Sequence, residues 1–296
     1  MANYDELFKG EQKNTEKESF VPFDRDEWVA AKQKEREETF ALAEQTLGEI
    51  AKSPEMFKAF LDVQARFDRY SVNNALLVTA QMPQATRLAD FDTWKKNDVY
   101  VKKGAEGIRI IGPGEEYLKS DGSTGVRFNT KKVFDISQTN STPKNDRRDL
   151  NPKELIKAII SNAPCKLVMT DELEGNVSAS YSLNDKTIFI RGGMEADQII
   201  KSLSQQFAHA KLDSNEHPHK ENSFTAYCVS YIVAKRLGID TASFDFSRAA
   251  SEFNGKDASD IRKQLNAIKT ASGEITAGIN KYLEERRSSR NRDDAR

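Results

Sequence analysis

The chain has three histidines, His209, His217 and His219, and all lie in one short stretch. Three imidazoles at that spacing form a set that could hold a zinc ion. The competing reading is plain surface, because His217-Pro218-His219 sits between Glu216 and Glu221 and Pro218 holds the two rings at one separation. The thiols offer less. Cys165 and Cys228 are far apart with no CxxC spacing, which suggests neither a disulfide framework nor a thiolate metal site. Cys228 falls in an apolar helical run and reads as a core thiol. A different chemistry is offered between Arg66 and Lys132. There Arg66, Arg69, Tyr70, Asn73 and Asn74 precede a cluster of Trp94, Lys95, Lys96, Tyr100, Lys102, Lys103 and Arg109, with Lys131 and Lys132 beyond. Single-strand binders need cations for the phosphates and flat rings on which any base can stack. Asp90, Asp92, Asp98 and Glu106 are interleaved, however, so composition alone describes a solvated mixed face equally well.

The elements that must position these residues follow from periodicity. Phe40, Ala43, Leu47 and Ile50 recur at helical spacing, Pro54 restarts the chain, and Met56, Phe57, Phe60, Leu61 and Phe67 mark a second helix. Ser71 caps a third helix through Val72, Ala75, Leu76 and Thr79, which Pro83 ends. Beyond it the period shortens to that of strands, at 99–101, 108–111 and 126–136, punctuated by Gly104, Gly107, Gly112 and Gly114. The polar stretch 140–149 is the expected boundary. The second half predicts a helix from Pro152 to Asn162, a strand over 166–169 and a hairpin of 181–183 with 187–191. Helices follow at about 195–211 and 223–237, with more to Tyr282. The fold class is therefore α+β, with N-terminal helices on a small antiparallel sheet and a helical C-terminal domain with a short sheet. The expected divisions are a disordered or loosely packed 1–25, a domain over 26–139, a linker over 140–152, a domain over 153–283 and a basic flexible tail over 284–296.

Composition narrows the partners. With 45 Lys and Arg against 46 Asp and Glu, the net charge of -1 gives no protein-wide field for polyanions, so nucleic-acid binding would need a local patch. No apolar run approaches the roughly 18 to 20 residues of a membrane span, and Met1 to Gly10 is too polar for a signal peptide. The expected location is the cytoplasm, with no membrane partner.

The order of the N-terminal residues carries more than their composition. Tyr70-Ser71-x-Asn73-Asn74, Leu76-Leu77, Gln81-x-Pro83, Ala85-Thr86, Trp94, Val101-Lys-Lys-Gly104, Gly107-Ile108 and Val133-Phe-Asp-Ile-Ser-Gln-Thr139 resemble the N-terminal domain of ArdC-type antirestriction proteins, a family that includes LtrC-like proteins of conjugative elements. The resemblance spans roughly residues 30 to 140. It implies single-stranded DNA binding by this domain, for which the cations, amides and rings noted above supply the candidate contacts Arg66, Arg69, Tyr70, Asn73, Asn74, Trp94, Lys95, Lys102, Lys103 and Arg109. It also implies a zincin-like metallopeptidase domain after it, in which HExxH places two zinc-binding histidines and a general base on one helix. The segment matching that motif is Gln205-Gln206-Phe207-Ala208-His209. Gln205 stands for the first histidine and Gln206 for the base, and only His209 remains. Tyr227 falls where the family's third ligand, a carboxylate on the next helix, belongs. Within the helix, Ile199, Leu203, Phe207 and Ala210 are expected to be buried, and Ser202, Gln205, Gln206 and His209 to share a polar face.

An amide is a poor zinc ligand and cannot act as a base, so the expectation is a catalytically inactive domain that takes no cofactor, zinc included. The reading that follows is a single-stranded-DNA-binding, antirestriction-like accessory protein of a mobile element or phage. A host or element protein is a further partner for the C-terminal domain. The alternatives are a metallopeptidase with an altered zinc ligand set and a protein-binding inhibitor of a host defence enzyme.

Overall fold

The computed structural model describes residues 24–118, 123–142, 151–214, 216 and 219–293. The first half opens with three capped helices. In α1 (Arg25–Ile50) the Asp24 side chain accepts from the amides of Asp26 and Glu27. In α2 (Pro54–Arg66) Ser53 accepts from Met56 N with Pro54 in the first turn, and in α3 (Val72–Gln81) Ser71 accepts from Asn74 N. Each cap satisfies an amide that the first helical turn leaves unpaired.

A three-stranded antiparallel sheet follows, ordered β1 (Leu88–Ala89), β3 (Thr124–Asp135), β2 (Ile108–Leu118), with the short α4 (Phe91–Lys96) between β1 and β2 in sequence. β2 is an edge, and an unpaired edge is a row of unsatisfied polar groups. Two side chains of α3 stand in for the missing strand. Asn74 donates to Ile111 O and accepts from Ile111 N, both at 2.8 Å, and Gln81 does the same for Arg109, both at 2.9 Å. At the other end of the sheet the buried Asp135 accepts from the amides of Thr86, Arg87 and Ser137. Burial opposes its charge, but these bonds outweigh it and hold the carboxyl below the usual aspartate range.

The second half has α5 (Pro152–Ser161) and a mixed sheet ordered β4 (Lys166–Met169), β6 (Thr187–Ile190), β5 (Ala179–Ser182), in which β4 runs parallel and β5 antiparallel to β6. Four helices complete it: α6 (Ala196–Leu212), α7 (His219–Arg236), α8 (Ala249–Phe253) and α9 (Ala258–Asp293). The α+β expectation holds. The tail expectation does not, because α9 is helical to Asp293. Its last turns are rich in Glu and Arg, which are good helix formers, and the Ser288 and Ser289 hydroxyls bond the carbonyls four residues back. The expected disorder of 1–25 lies outside the described residues up to 23, and Asp24 and Arg25 belong to the cap and first turn of α1. Most of the expected linker, 143–150, is likewise outside them.

One hydrophobic core runs through both halves, from Leu47 and Phe57 to Ile275 and Ile279. At its centre lies α7, buried on nearly every side from Phe224 to Ala234 because it packs against α2, α6 and α9. Phe57 of α2 meets the rings of Phe224, Phe246 and Phe253 at 5.3 to 5.8 Å. Polar ties cross the same junction. The hydroxyl of the fully buried Tyr231 donates to Asp62 at 2.7 Å, the Lys235 ammonium lies 3.0 Å from the same carboxylate oxygen, and Arg236 donates to the carbonyls of Gln64 and Ala65 at the end of α2. Burial works against the Asp62 carboxylate, and the Tyr231 and Lys235 bonds overcome it, so its pKa is lowered.

A group with a lowered folded pKa contributes stability above its unfolded value, about 3.9, and loses that contribution as pH falls through the folded value. Tyr231→Phe removes one hydrogen bond to a charge and should cost about 1.5 to 3 kcal/mol at neutral pH. Urea unfolding should show that the deficit shrinks once the pH drops below about 4. A deficit that is constant with pH would mean the hydroxyl does not act through the carboxylate.

Candidate functional site

The ten residues assigned to DNA contacts have diverse fates. Asn74 is consumed by the β2 edge. Asn73 accepts from Arg262 of α9 at 3.3 Å, the Arg66 guanidinium is bonded to Pro83 O, and Arg109 pairs with Glu38 at 3.2 Å. Tyr70 is half-buried and stacked on Phe67 with centroids 5.3 Å apart, and burial raises its phenol. Lys102 donates to Ser137 O at 3.0 Å. Trp94 is 3% exposed, its indole N–H donates to Phe134 O at 2.9 Å, and the Arg87 guanidinium lies over its ring. A stacking role for Trp94 is therefore corrected: the ring anchors α4 to β3, and a base cannot reach it. Arg69, Lys95 and Lys103 remain exposed. Beside them in sequence Phe91 is exposed, at 53%, and so is Tyr100, at 52%. Its backbone pairs with Asn140 while Val101 bridges Thr139, so in that extended segment Tyr100 and Lys102 point to one side.

In the second half, α6 does not have the expected polar face. Gln206 and His209 are buried, whereas Ile199 and Ala210 are only partly so, because α6 is packed by α7 on one side and by β5, α5 and α9 on others. Each polar side chain has gone to a separate task. The Gln206 amide oxygen accepts from Tyr181 N of β5 at 3.0 Å. Gln205 is half-buried. The Tyr227 hydroxyl accepts from Asp245 N at 2.7 Å inside a cluster with Phe244 and Phe246, and burial raises it. The donor set of a motif zinc site, two imidazoles and a carboxylate around these positions, is not present in these residue types.

His209 turns instead to the end of its own helix. Its Nδ1 lies 3.1 Å from both oxygens of Asp213, the C-cap residue of α6, and Nδ1 of His219, the first residue of α7, lies 2.9 Å from Asp213 Oδ2. The two imidazoles stack with centroids 3.5 Å apart and planes 14° from parallel. Asn222 Nδ2 donates to Asp213 Oδ1 at 3.0 Å. Burial pushes the His209 imidazole below its ordinary pKa, against the opposing pull of Asp213. His217 lies outside the described residues, so the three-histidine set is not placed as such. Asp213 was not singled out from sequence. The available signal was its position four residues after a helical histidine, which puts the two on one face.

The comparisons can be set beside this geometry. The family model for the N-terminal domain of anti-restriction factor ArdC matches residues 41–152. Over residues 41–152 the chain is thus similar to an ArdC N-terminal domain. These residues take in most of the first half, from within α1 to the start of α5. The motif residues of this ArdC-like domain are the ones that hold its fold: Ser71 caps, Asn74 and Gln81 close the β2 edge, and Asp135 gathers the Thr86 turn. No curated protein matches the chain. Two solved structures of the antirestriction ArdC protein from the R388 plasmid are similar to it. The metal-free one has 14% identity and a TM-score of 0.47, covering 73% of this chain and 84% of that one. The Mn(II)-bound one has 13% identity and a TM-score of 0.49, covering 74% of this chain and 91% of that one.

The expectation that this chain takes no cofactor is withdrawn. In this chain His209, Asp213 and His219 bring three ligand atoms within 4.8 Å of one another, a group that could hold a metal ion. From sequence, His209 is weighed with His217 and His219 and that loop is set aside as surface, while Asp213, the carboxylate that joins His209 and His219, is not singled out. No helix among the described residues is long and apolar enough to cross a membrane.

If Trp94 is an anchor, Trp94→Ala should destabilise the chain by about 3 to 5 kcal/mol. Trp94→Phe, which leaves the Phe134 carbonyl without its donor, should cost about 1 to 3 kcal/mol. Denaturant unfolding followed by circular dichroism reads both. An alanine variant as stable as the parent would show that the indole is not part of the core.

Proposed function

We propose that this chain is an antirestriction-type accessory protein that binds single-stranded DNA through its ArdC-like domain and performs no peptidase chemistry in its second half. The observation that carries the reading is the match of residues 41–152 to the ArdC N-terminal domain. The chemistry left available on that domain supports it. Arg69, Lys95 and Lys103 offer exposed cations, and Tyr100 offers an exposed ring on the same side of its strand as Lys102. Cations neutralise phosphates and release counterions, while a phenol ring stacks on any base, so the expected binding tolerates sequence and depends on salt. Phosphate contacts through Asn74 or stacking on Trp94 form no part of this reading.

The absence of peptidase chemistry rests on Gln206. A neutral amide takes no proton from water, and this one is engaged by the Tyr181 amide in a buried position. Asp213, the carboxylate beside His209, is engaged by His209, His219 and Asn222.

Fluorescence anisotropy with a labelled, unstructured oligodeoxynucleotide tests the DNA reading. Affinity should fall linearly with salt on logarithmic axes, and Lys103→Ala or Arg69→Ala should each flatten the slope by about 0.7. Tyr100→Ala should weaken binding by about 1 to 3 kcal/mol with little change in slope. No binding at low salt by the folded parent would overturn the proposal. A peptide-library digest should show no cleavage with or without added divalent metal. Cleavage that disappears in a folded His209→Ala variant would overturn the inactive assignment.

A further inference from the structure

The end of the α6–α7 hairpin concentrates ligating groups that neither the fold nor the DNA reading uses. His209 and Asp213 lie one turn apart at the end of α6, and the turn returns the chain so that His219 opens α7 against them. The side chains of His209 and Asp213 are 1% and 2% exposed, so two of the three groups are held rigidly, while His219, at 51%, forms the solvent side. Asp213 also lines a cleft of about 530 Å³ with Pro164, Cys165, Tyr181 and Lys186, which gives a path from solvent.

The spacing suits a small ion. A tetrahedral zinc-type centre with bonds of about 2.0 to 2.1 Å sets neighbouring donors roughly 3.3 Å apart. The nitrogen-to-oxygen separations of 2.9 and 3.1 Å are within a few tenths of an ångström of that edge. Two imidazoles with one carboxylate are the donors preferred by borderline transition ions, whereas magnesium and calcium favour oxygen alone. The two rings stack nearly parallel, so the exposed His219 ring has to turn out of the stack for one ion to lie in the planes of both. Asn222 donates to Asp213 Oδ1, which orients the carboxylate and leaves Oδ2 facing His219.

We propose that His209, Asp213 and His219 bind one divalent first-row transition ion at the α6–α7 turn, displaced from the helix motif whose positions have become Gln205 and Gln206. The ion staples the C-terminus of α6 to the N-terminus of α7, reinforcing the Asn222–Asp213 hydrogen bond that already joins them at this end. The rival arrangement is a closed hydrogen-bonded trio, in which the two imidazoles donate to Asp213 and no ion enters. The proposal is independent of the DNA reading, since no residue is shared between them.

Titration of the untagged, metal-stripped full chain with Co²⁺ separates the two arrangements, because low-symmetry cobalt bound to nitrogen and oxygen absorbs visibly and can be displaced by zinc. The proposal expects one ion per chain, bleached by Zn²⁺, and a rise in melting temperature on loading. His219→Ala removes an exposed ligand without opening the core and should weaken binding at least about 10-fold, since even groups that only orient a ligand cost about 10- to 100-fold. The isosteric Asp213→Asn should do the same, and Gln205→Ala should leave affinity unchanged. Absence of cobalt binding by the folded parent would overturn the site. Binding of unaltered affinity in both His219→Ala and Asp213→Asn would also overturn it.

Discussion

The hydroxyl of Tyr231 reaches Asp62 from inside the core, and the rest of the molecule is arranged so that this bond can exist. A buried phenol needs a partner, and a carboxylate at the edge of a core needs donors. Each supplies the other, with Lys235 completing the pair from the next turn of α7. The bond ties α2, from the first half of the chain, to α7, from the second. Around it Phe57, Phe224, Phe244, Phe246 and Phe253 pack ring against ring. The two halves are therefore not beads on a string. The ArdC-like domain is built on a helix layer whose inner face is completed by the second half.

That dependence gives the second half a physical role in the fold. α7 is apolar on nearly all sides because it is core to both halves, and α6 is held to it along its length, from the Ser230 hydroxyl on Lys201 O to the histidine pair at the turn. The side chains at the positions compared with the zinc motif take part in the fold. Gln206 satisfies a strand amide and Tyr227 satisfies a loop amide. The same economy applies in the ArdC-like domain, where Asn74, Gln81 and Asp135 answer main-chain groups far away in sequence.

Helices, caps and strand positions were legible because their signals are local: Ser53, Ser71 and Pro83 act on neighbours within four residues. The candidate sites were less legible, for identifiable reasons. Trp94 in a lysine-rich run reads alike whether its ring faces water or a carbonyl, and only the packing of α4 on β3 decides. Asn74 and Asn73 look like polar surface until a strand edge 37 residues on and a helix 189 residues on claim their amides. The tail after Tyr282 reads as frayed from its charge, although Glu and Arg favour helix and α9 simply continues through them. The sequence singles out His209 and His219 but not Asp213 between them, since it belongs to no motif and meets His219 only across the turn from α6 to α7.

The central claim is a division of labour in which the free cations and ring of the ArdC-like domain meet DNA while the motif residues and the second half hold the fold. Hydrogen–deuterium exchange with and without a saturating unstructured oligodeoxynucleotide tests it most directly. The account predicts slowed exchange in the segment around Tyr100 to Gly104 and beside Arg69, with the amides of α6 and α7 unchanged. Protection confined to the α6–α7 turn, with none around Tyr100, would contradict it.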